Sequence, residues 1–233
     1  MAMIEHLPIS PTPVRIPAGP SLLDGDLAVP DRVSGIVVFA HGSGSSRHSP
    51  RNRYVAEALQ QAGLATLLMD LLTRDEERID MCTARLRFDI GMLAERLVAA
   101  TDWLARRDDT RDLKVGYFGA STGGGAALVA AAAKPDRVAA VVSRGGRPDL
   151  AGDALPRVRA PTLLIVGGDD EPVIEMNQEA MAQMRCEKRL AIIPGANPPV
   201  RGAGRARRSR PVGAGMVCRT HALKRVLWPS RPG

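Results

Sequence analysis

The pentapeptide Gly119-Ala120-Ser121-Thr122-Gly123 lies between the apolar run Val115-Gly116-Tyr117-Phe118 and an alanine-rich stretch that extends to residue 133. The apolar run predicts a buried strand, and the alanine-rich stretch predicts a helix. A Gly-x-Ser-x-Gly motif at a strand-to-helix turn is typical of a nucleophile elbow, because its glycines leave room for the sharp backbone that exposes the serine hydroxyl. The bare motif also occurs by chance at glycine- and alanine-rich helix starts, so its position between strand and helix favours a nucleophilic serine.

Short apolar runs alternate with helical patterns on both sides of this motif. The predicted strands span residues 14–17, 22–29, 35–40, 65–69, 113–118, 138–142, 162–166 and 190–193, and the predicted helices span 53–61, 86–104, 122–133 and 175–184. This alternation predicts an α/β fold with a doubly wound, mostly parallel sheet. Ligands of such sheets bind at the carboxyl ends of the strands. Because no long insertion precedes residue 196, we expect no lid domain and a small, open pocket.

Composition sets the class of protein. The chain has 233 residues, of which 45% are hydrophobic and only 3% aromatic, so we expect one domain with an aliphatic core. Neither a run of about 20 apolar residues nor a secretory signal pattern is found, which predicts a cytoplasmic protein without a membrane span. Cys82, Cys186 and Cys218 are odd in number and widely spaced, which fits neither a disulfide framework nor a zinc site. We expect no cofactor and no metal.

The positive charge is confined to the end of the chain. Residues 197–233 contain eight Arg, one Lys and no acidic residue, and without those nine the chain has 23 basic residues against 25 acidic ones. The formal net charge of +7 therefore describes the tail rather than the body. We predict one folded α/β domain over residues 1–196 and a basic, low-complexity tail over residues 197–233 that is disordered or aberrant.

A serine nucleophile requires an orienting carboxylate and backbone donors for the oxyanion. Asp170 is the candidate acid, since it follows the strand at 162–166 and shares the sheet edge with Ser121. Asp169 and Glu171 are adjacent candidates, and a solvated acidic turn is the alternative without a catalytic role. The candidate oxyanion donors are the backbone N–H groups of Thr122 and of Ser43, in the small-residue loop 41–46. A phosphate-binding loop would end in Gly-Lys-Ser/Thr, and that ending is absent.

The base that would accept the serine proton is the missing component. His6 lies in the N-terminal arm, and His48 lies a few residues beyond the candidate oxyanion loop. His41 belongs to that loop and is interpreted as a residue that braces it. Only His221 follows Asp170, and it lies in the basic tail, where a histidine is more often solvated than catalytic.

Four arginines follow predicted strands. Arg47, Arg74, Arg144 and Arg147 are either solvated loop residues or ligands for an anionic substrate at the mouth of the pocket.

The motifs together resemble the α/β-hydrolase superfamily and, more closely, the small lidless proteins of the dienelactone hydrolase family. The resemblance covers residues 14–196 and rests on Phe39-Ala40-His41-Gly42-Ser43-Gly44-Ser45-Ser46-Arg47, on the elbow, and on Gly167-Gly168-Asp169-Asp170-Glu171-Pro172-Val173. It implies Ser121 as the nucleophile, Asp170 as the acid, and the N–H groups of Ser43 and Thr122 as oxyanion donors. Dienelactone hydrolases proper use cysteine at the elbow, so serine here points to a different substrate.

The resemblance ends after Pro194-Gly195-Ala196, where the family pattern implies a catalytic histidine, an acidic segment and an amphipathic helix. This chain continues Asn197-Pro198-Pro199-Val200. Suitable codons for residues 198–217, regrouped by one base, encode HLFEEPAELEEVARLAREW, and the pair Met216-Val217 requires the tryptophan codon of that segment. We therefore hypothesise a frameshift near residue 197; a genuine, disordered basic tail is the alternative.

Two functions are compatible with these observations. The first is a serine hydrolase acting on a small ester, lactone or thioester through an acyl-enzyme, impaired here by loss of the histidine. The second is a catalytically inactive hydrolase-fold protein whose basic tail binds nucleic acid through its phosphates.

Overall fold

The structure is a computed structural model, and it describes residues 9–195. Its eight strands form one sheet in the order β1-β2-β4-β3-β5-β6-β7-β8. The strands are β1 (Thr12–Ala18), β2 (Ser21–Ala28), β3 (Ile36–Ala40), β4 (Ala65–Met69), β5 (Val115–Ala120), β6 (Val138–Arg144), β7 (Thr162–Gly167) and β8 (Lys188–Ile193). The first two strands form an antiparallel hairpin that joins β4, and all pairs from β4 to β8 are parallel.

Helices cover both faces of the sheet. They are α1 (Pro50–Gln61), α2 (Arg74–Thr83), α3 (Ile90–Leu104), α4 (Thr122–Ala133) and α5 (Glu171–Gln183), with 3₁₀ segments at Leu86–Phe88 and Pro148–Arg157. Successive residues of β3 alternate between two apolar clusters, as side chains on a pleated strand must. One cluster includes residues of α3, α4 and α5, and the other includes residues of α1. The molecule therefore has three layers, with the parallel strands buried between helices.

The elements confirm the predicted α/β-hydrolase fold. All eight predicted strands are present, and the predicted helices at 53–61, 122–133 and 175–184 correspond to α1, α4 and α5. The pattern at 86–104 is a 3₁₀ turn followed by α3. The predicted tail, including His221, lies outside the described residues. Within residues 9–195 no separate lid domain is present, and no helix is both long and apolar enough to span a bilayer.

One helix, α2, was not predicted. Its sequence, RDEERIDMCT, has no apolar stripe, and Asp80 is its one buried residue. It begins with a reciprocal capping box, in which the Thr73 hydroxyl accepts from the Glu76 N–H while the Glu76 carboxylate accepts from the Thr73 N–H. A buried ion pair then attaches it to the body, because Arg96 of α3 donates to both carboxylate oxygens of Glu76.

Candidate active site

Ser121 lies at the turn between β5 and α4, with φ 51° and ψ −127°. A non-glycine residue in this region carries about 1–3 kcal/mol of backbone strain, which the surrounding structure must hold in place. Three backbone hydrogen bonds do so. The Ser121 N–H donates to Gly145 O at 3.2 Å, and Ser121 O accepts from Gly124 N at 3.0 Å and from Arg147 N at 3.0 Å. The predicted elbow is therefore present as a strained, braced turn.

The glycines of the elbow are required by close packing. A Cβ on Gly119 would lie 2.6 Å from Gly123 O, and a Cβ on Gly123 would lie 2.7 Å from His41 O and closer still to Ala40 O. A Cβ on Gly42 would lie 2.8 Å from the Cβ of Ser121. Since real Cβ contacts are essentially never this short, the loop after β3, the elbow and the start of α4 touch one another through their backbones.

The two candidate oxyanion donors lie on neighbouring segments. The hydroxyls of Ser43 and Thr122 are 3.3 Å apart, which joins the loop after β3 to the first residue of α4. Neither backbone N–H has an acceptor within residues 9–195. Thr122 N–H is also one of the free donors that every helix start leaves, so both N–H groups are available to a ligand.

Asp170 precedes α5 at the carboxyl end of β7, the same sheet edge that carries Ser121. Asp170 is half-buried. Backbone hydrogen bonds connect the Ser121 turn to β7, because Gly145 N–H donates to Ile165 O and Gly145 O accepts from the Ser121 N–H. Gly168 N also donates to Ile193 O at 2.8 Å, which places the end of β8 beside the acid loop.

Neither histidine in the described part of the chain is bonded to Ser121 or Asp170. His41 is buried, its Nδ1 lies 3.0 Å from Gly42 O, and its Nε2 accepts from Leu71 N–H at 3.1 Å. His41 therefore braces the loop after β3 against the segment that follows β4, which is the bracing role predicted for it. His48 is exposed and lies 2.7 Å from Arg53 Nη2 through its Nδ1.

A cleft of about 1180 Å³ opens at this sheet edge. Its walls are the loop after β3, the start of α1 and one side of α2, and its floor includes Ala120, Thr122 and Arg144. It is larger than the small pocket expected from the sequence, because the unpredicted helix α2 adds a second wall. On that wall, burial and the Asp70 carboxylate raise the pKa of Glu77.

Two of the four arginines from the sequence are held by carboxylates. Arg47 donates to Asp70 through its backbone and its guanidinium, and Arg147 forms a paired contact with Asp149 that raises the pKa of Arg147. Both guanidinium groups therefore have a carboxylate partner in this chain, and the Arg147 pair lies at the partly exposed surface. Arg74 and Arg144 both line the cleft, and neither has an ion-pair partner within residues 9–195.

The class of α/β hydrolases is defined by this strand order, with a strained serine turn at the end of a central strand and free N–H groups next to it. The sequence model of the dienelactone hydrolase family matches residues 23–197. A crystal structure of dienelactone hydrolase from Anabaena variabilis is 66% identical, with a TM-score of 0.79, over 82% of this chain and 88% of that chain. The chain belongs to the dienelactone hydrolase family.

More distant structures share the fold alone. Est1E from Butyrivibrio proteoclasticus is 18% identical, with a TM-score of 0.65, over 78% of this chain and 88% of its own. A dienelactone hydrolase-like promiscuous phosphotriesterase from metagenomic libraries is 19% identical, with a TM-score of 0.66, over 81% of this chain and 82% of its own.

Two curated proteins of Mycobacterium tuberculosis, provisionally named phosphoribosyl transferases, are 60% identical to this chain over 189 residues. The match covers 81% of this chain and 42% of each relative. The chain therefore spans about two fifths of the length of these relatives.

Proposed function

We propose that this protein is a serine hydrolase that cleaves a small ester, lactone or thioester through an acyl-enzyme on Ser121. The observation that supports this most directly is the strained turn at Ser121, which lies beside two backbone N–H groups without acceptors in the described structure. A turn that costs free energy and is braced by three hydrogen bonds is expected where a side chain must be presented to a ligand.

In the proposed reaction, Ser121 Oγ bonds to the substrate carbonyl carbon while its proton passes to a base. The carbonyl oxygen becomes an oxyanion, which the N–H groups of Ser43 and Thr122 stabilise. The bond to the leaving alcohol or thiol then breaks as the base returns the proton. Water attacks the acyl-enzyme by the same route in reverse, which releases the acid and frees Ser121.

The proposed base is a histidine directly after the end of β8, oriented by Asp170. The hydrogen bond from Gly168 to Ile193 brings that point of the chain to the acid loop. In the sequence, Asn197-Pro198 follows Ala196 where the family pattern implies that histidine, which is the basis for the proposed frameshift. A hydrolase that lacks its histidine retains oxyanion stabilisation but loses several orders of magnitude in rate.

The curated relatives suggest a second activity only for a region outside the match. More than half of each relative lies beyond the matched region, and the hydrolase family covers residues 23–197 of this chain. We assign hydrolysis to this chain and the transferase name of the relatives to their unmatched part. We also propose a cytoplasmic location, because Cys82 and Cys186 are free thiols.

Covalent labelling with a fluorophosphonate tests the proposal. Two chains are compared: the present one, and one in which residues 198–217 are replaced by HLFEEPAELEEVARLAREW. We expect the second chain to label at Ser121 at least about 100-fold faster, because the base is restored. Ser121→Ala in the same chain is the control and must abolish labelling. A folded, restored chain that does not label would refute the serine mechanism.

DNA sequencing across codons 190–233 of an independent copy of the gene tests the frameshift separately. A one-base difference that restores the histidine would support it. An unchanged frame would refute it and leave a chain without a base.

A further inference from the structure

The side chain of Arg144 lies in the cleft without a carboxylate partner in residues 9–195. It ends β6 and is paired in register with Ala120, the residue before the nucleophile. Its guanidinium carbon is 5.9 Å from the centre of the Phe118 ring. Arg144 is thus a cation beside Ser121 whose charge the described structure does not neutralise.

A second cation lies close by. Arg51 lines the same cleft as Arg144, and burial, together with the charge of Arg51, lowers the pKa of Arg144. Arg51 has no ion pair with the described residues. Two like charges at one wall are unfavourable in an empty site, but they become favourable when an anion binds between them.

The first turn of α1 adds backbone donors at the same wall. Ser49 precedes the helix without a side-chain cap, Pro50 has no N–H, and the N–H groups of Arg51 and Asn52 have no acceptor in the described structure. These residues line the cleft together. The start of a helix carries a partial positive charge, so its free N–H groups favour a negatively charged ligand.

Asn52 gives an independent indication of a ligand. Its side chain lines the cleft but is only 4% exposed, and its amide makes no hydrogen bond to any residue between 9 and 195. Polar groups this little exposed usually have partners in native proteins, so a group bound in the cleft can pair with the amide. Its NH₂ can donate to the same anion as the two arginines.

We propose that Arg51, Arg144, Asn52 and the start of α1 bind a phosphate monoester group of the substrate. Two guanidinium charges match a phosphate dianion better than a single carboxylate charge. A tetrahedral phosphate also has oxygens for donors that approach from different directions, whereas a carboxylate has two oxygens in one plane. The role of this phosphate as an anchor rests on the proposed function, in which the phosphate bound at α1 directs the ester carbonyl of the substrate toward Ser121.

Isothermal titration calorimetry of the full chain with inorganic phosphate, and with acetate as the carboxylate probe, tests the site. We expect phosphate to bind more tightly than acetate. Arg144→Gln and Arg51→Gln should each weaken phosphate binding about ten-fold or more, and Arg144→Lys should weaken it less. Arg159→Gln is the matched control, because Arg159 is an exposed arginine outside the cleft, and it should leave binding unchanged.

Each contrary result has a definite meaning. Absent binding, or binding that survives both glutamine variants, would refute the site, and equal binding of acetate would refute the assignment to phosphate. Arg51 is exposed, so its variant remains informative if Arg144→Gln does not fold.

A second experiment tests whether the anion binds near the nucleophile. It uses the restored chain, in which HLFEEPAELEEVARLAREW replaces residues 198–217, and we expect inorganic phosphate to slow the labelling of Ser121 by fluorophosphonate. Labelling that phosphate does not slow would refute this inference and keep the hydrolase. Phosphate binding without any labelling would keep the anion site and refute the hydrolase.

Discussion

Replacing Gly123 by alanine tests the closest contact in the site. Gly123 is the second residue of α4, and the new Cβ would lie 2.7 Å from both Ala40 C and His41 O. Carbon atoms in contact are normally about 3.5 Å apart, so clearing Ala40 C alone requires α4 to recede from β3 by about 0.8 Å, and clearing the closer Ala40 O requires more. Overpacking of this kind costs about 1–3 kcal/mol, and backbone atoms cannot rotate away as a side chain would. We expect a loss of about 3 kcal/mol.

Gly91→Ala is the matched control. Gly91 is the second residue of α3, and a Cβ there would meet only Asp89 Oδ1, at 3.6 Å. The same chemical change should be neutral or stabilising by up to about 1 kcal/mol, because alanine favours the helix. The two substitutions therefore share a helix position and an added methyl group, but they differ in what surrounds it.

Thermal unfolding followed by circular dichroism measures both variants. A change of 1 kcal/mol shifts the Tm of a domain of this size by about 2–4 °C, so Gly123→Ala should lower the Tm by about 6–12 °C and Gly91→Ala should not lower it. Equal losses would mean that any alanine at a second helical position is harmful. A Gly123→Ala protein with an unchanged Tm would refute the close packing of α4 on β3.

Three further outcomes follow from the described contacts. Arg96→Met should cost about 2–3 kcal/mol, because Glu76 is left without its partner in a half-buried position. Burial alone would raise the pKa of Glu76, but the hydrogen bonds from Arg96 and Thr73 lower it overall. The Glu76 carboxylate therefore contributes stability that is fully present above the ordinary carboxyl pKa and is lost as the pH falls through the lowered pKa of the folded state. Urea unfolding at several pH values measures this loss, which should be less steep in Arg96→Met. Tyr117→Phe should lower the Tm by about 2–4 °C through loss of one buried hydroxyl hydrogen bond, and an unchanged Tm would contradict that bond. Gly42→Ala in the restored chain should slow fluorophosphonate labelling about ten-fold, since its Cβ would lie 2.8 Å from that of the nucleophile; labelling at the original rate would place the loop elsewhere.

The elbow could be predicted from the sequence because its chemistry is local. Ser121 and its neighbouring glycines are consecutive in the chain, and the strand and helix around them have clear apolar patterns. The parallel sheet was predictable for the same reason, since continuous apolar runs are the mark of strands buried on both faces. The oxyanion donors and the acid are proposed from the loops that follow those strands, and their catalytic roles remain predictions.

Helix α2 and the proposed anion site of Arg51, Arg144 and Asn52 could not be predicted, because both depend on contacts between residues that are distant in the sequence. The stability of α2 comes from Glu76 meeting Arg96 across 20 positions, which no periodic pattern shows. The capping box of Thr73 and Glu76 can be recognised in the sequence, but a capping box without an apolar stripe does not by itself predict a helix. Likewise, Arg47 and Arg144 look alike in the sequence; only the fold gives one of them an aspartate and leaves the other open to the cleft.

The backbone contacts at Gly119 and Gly123 also restrict how the gene can change. Every single-base change in a glycine codon that alters the residue introduces a side chain, and at both positions even the first carbon of that side chain would overlap backbone atoms. No neighbouring codon therefore offers a conservative alternative at either position. Any substitution at Gly119 or Gly123 must therefore displace backbone atoms, so the packing of the fold itself restricts both codons.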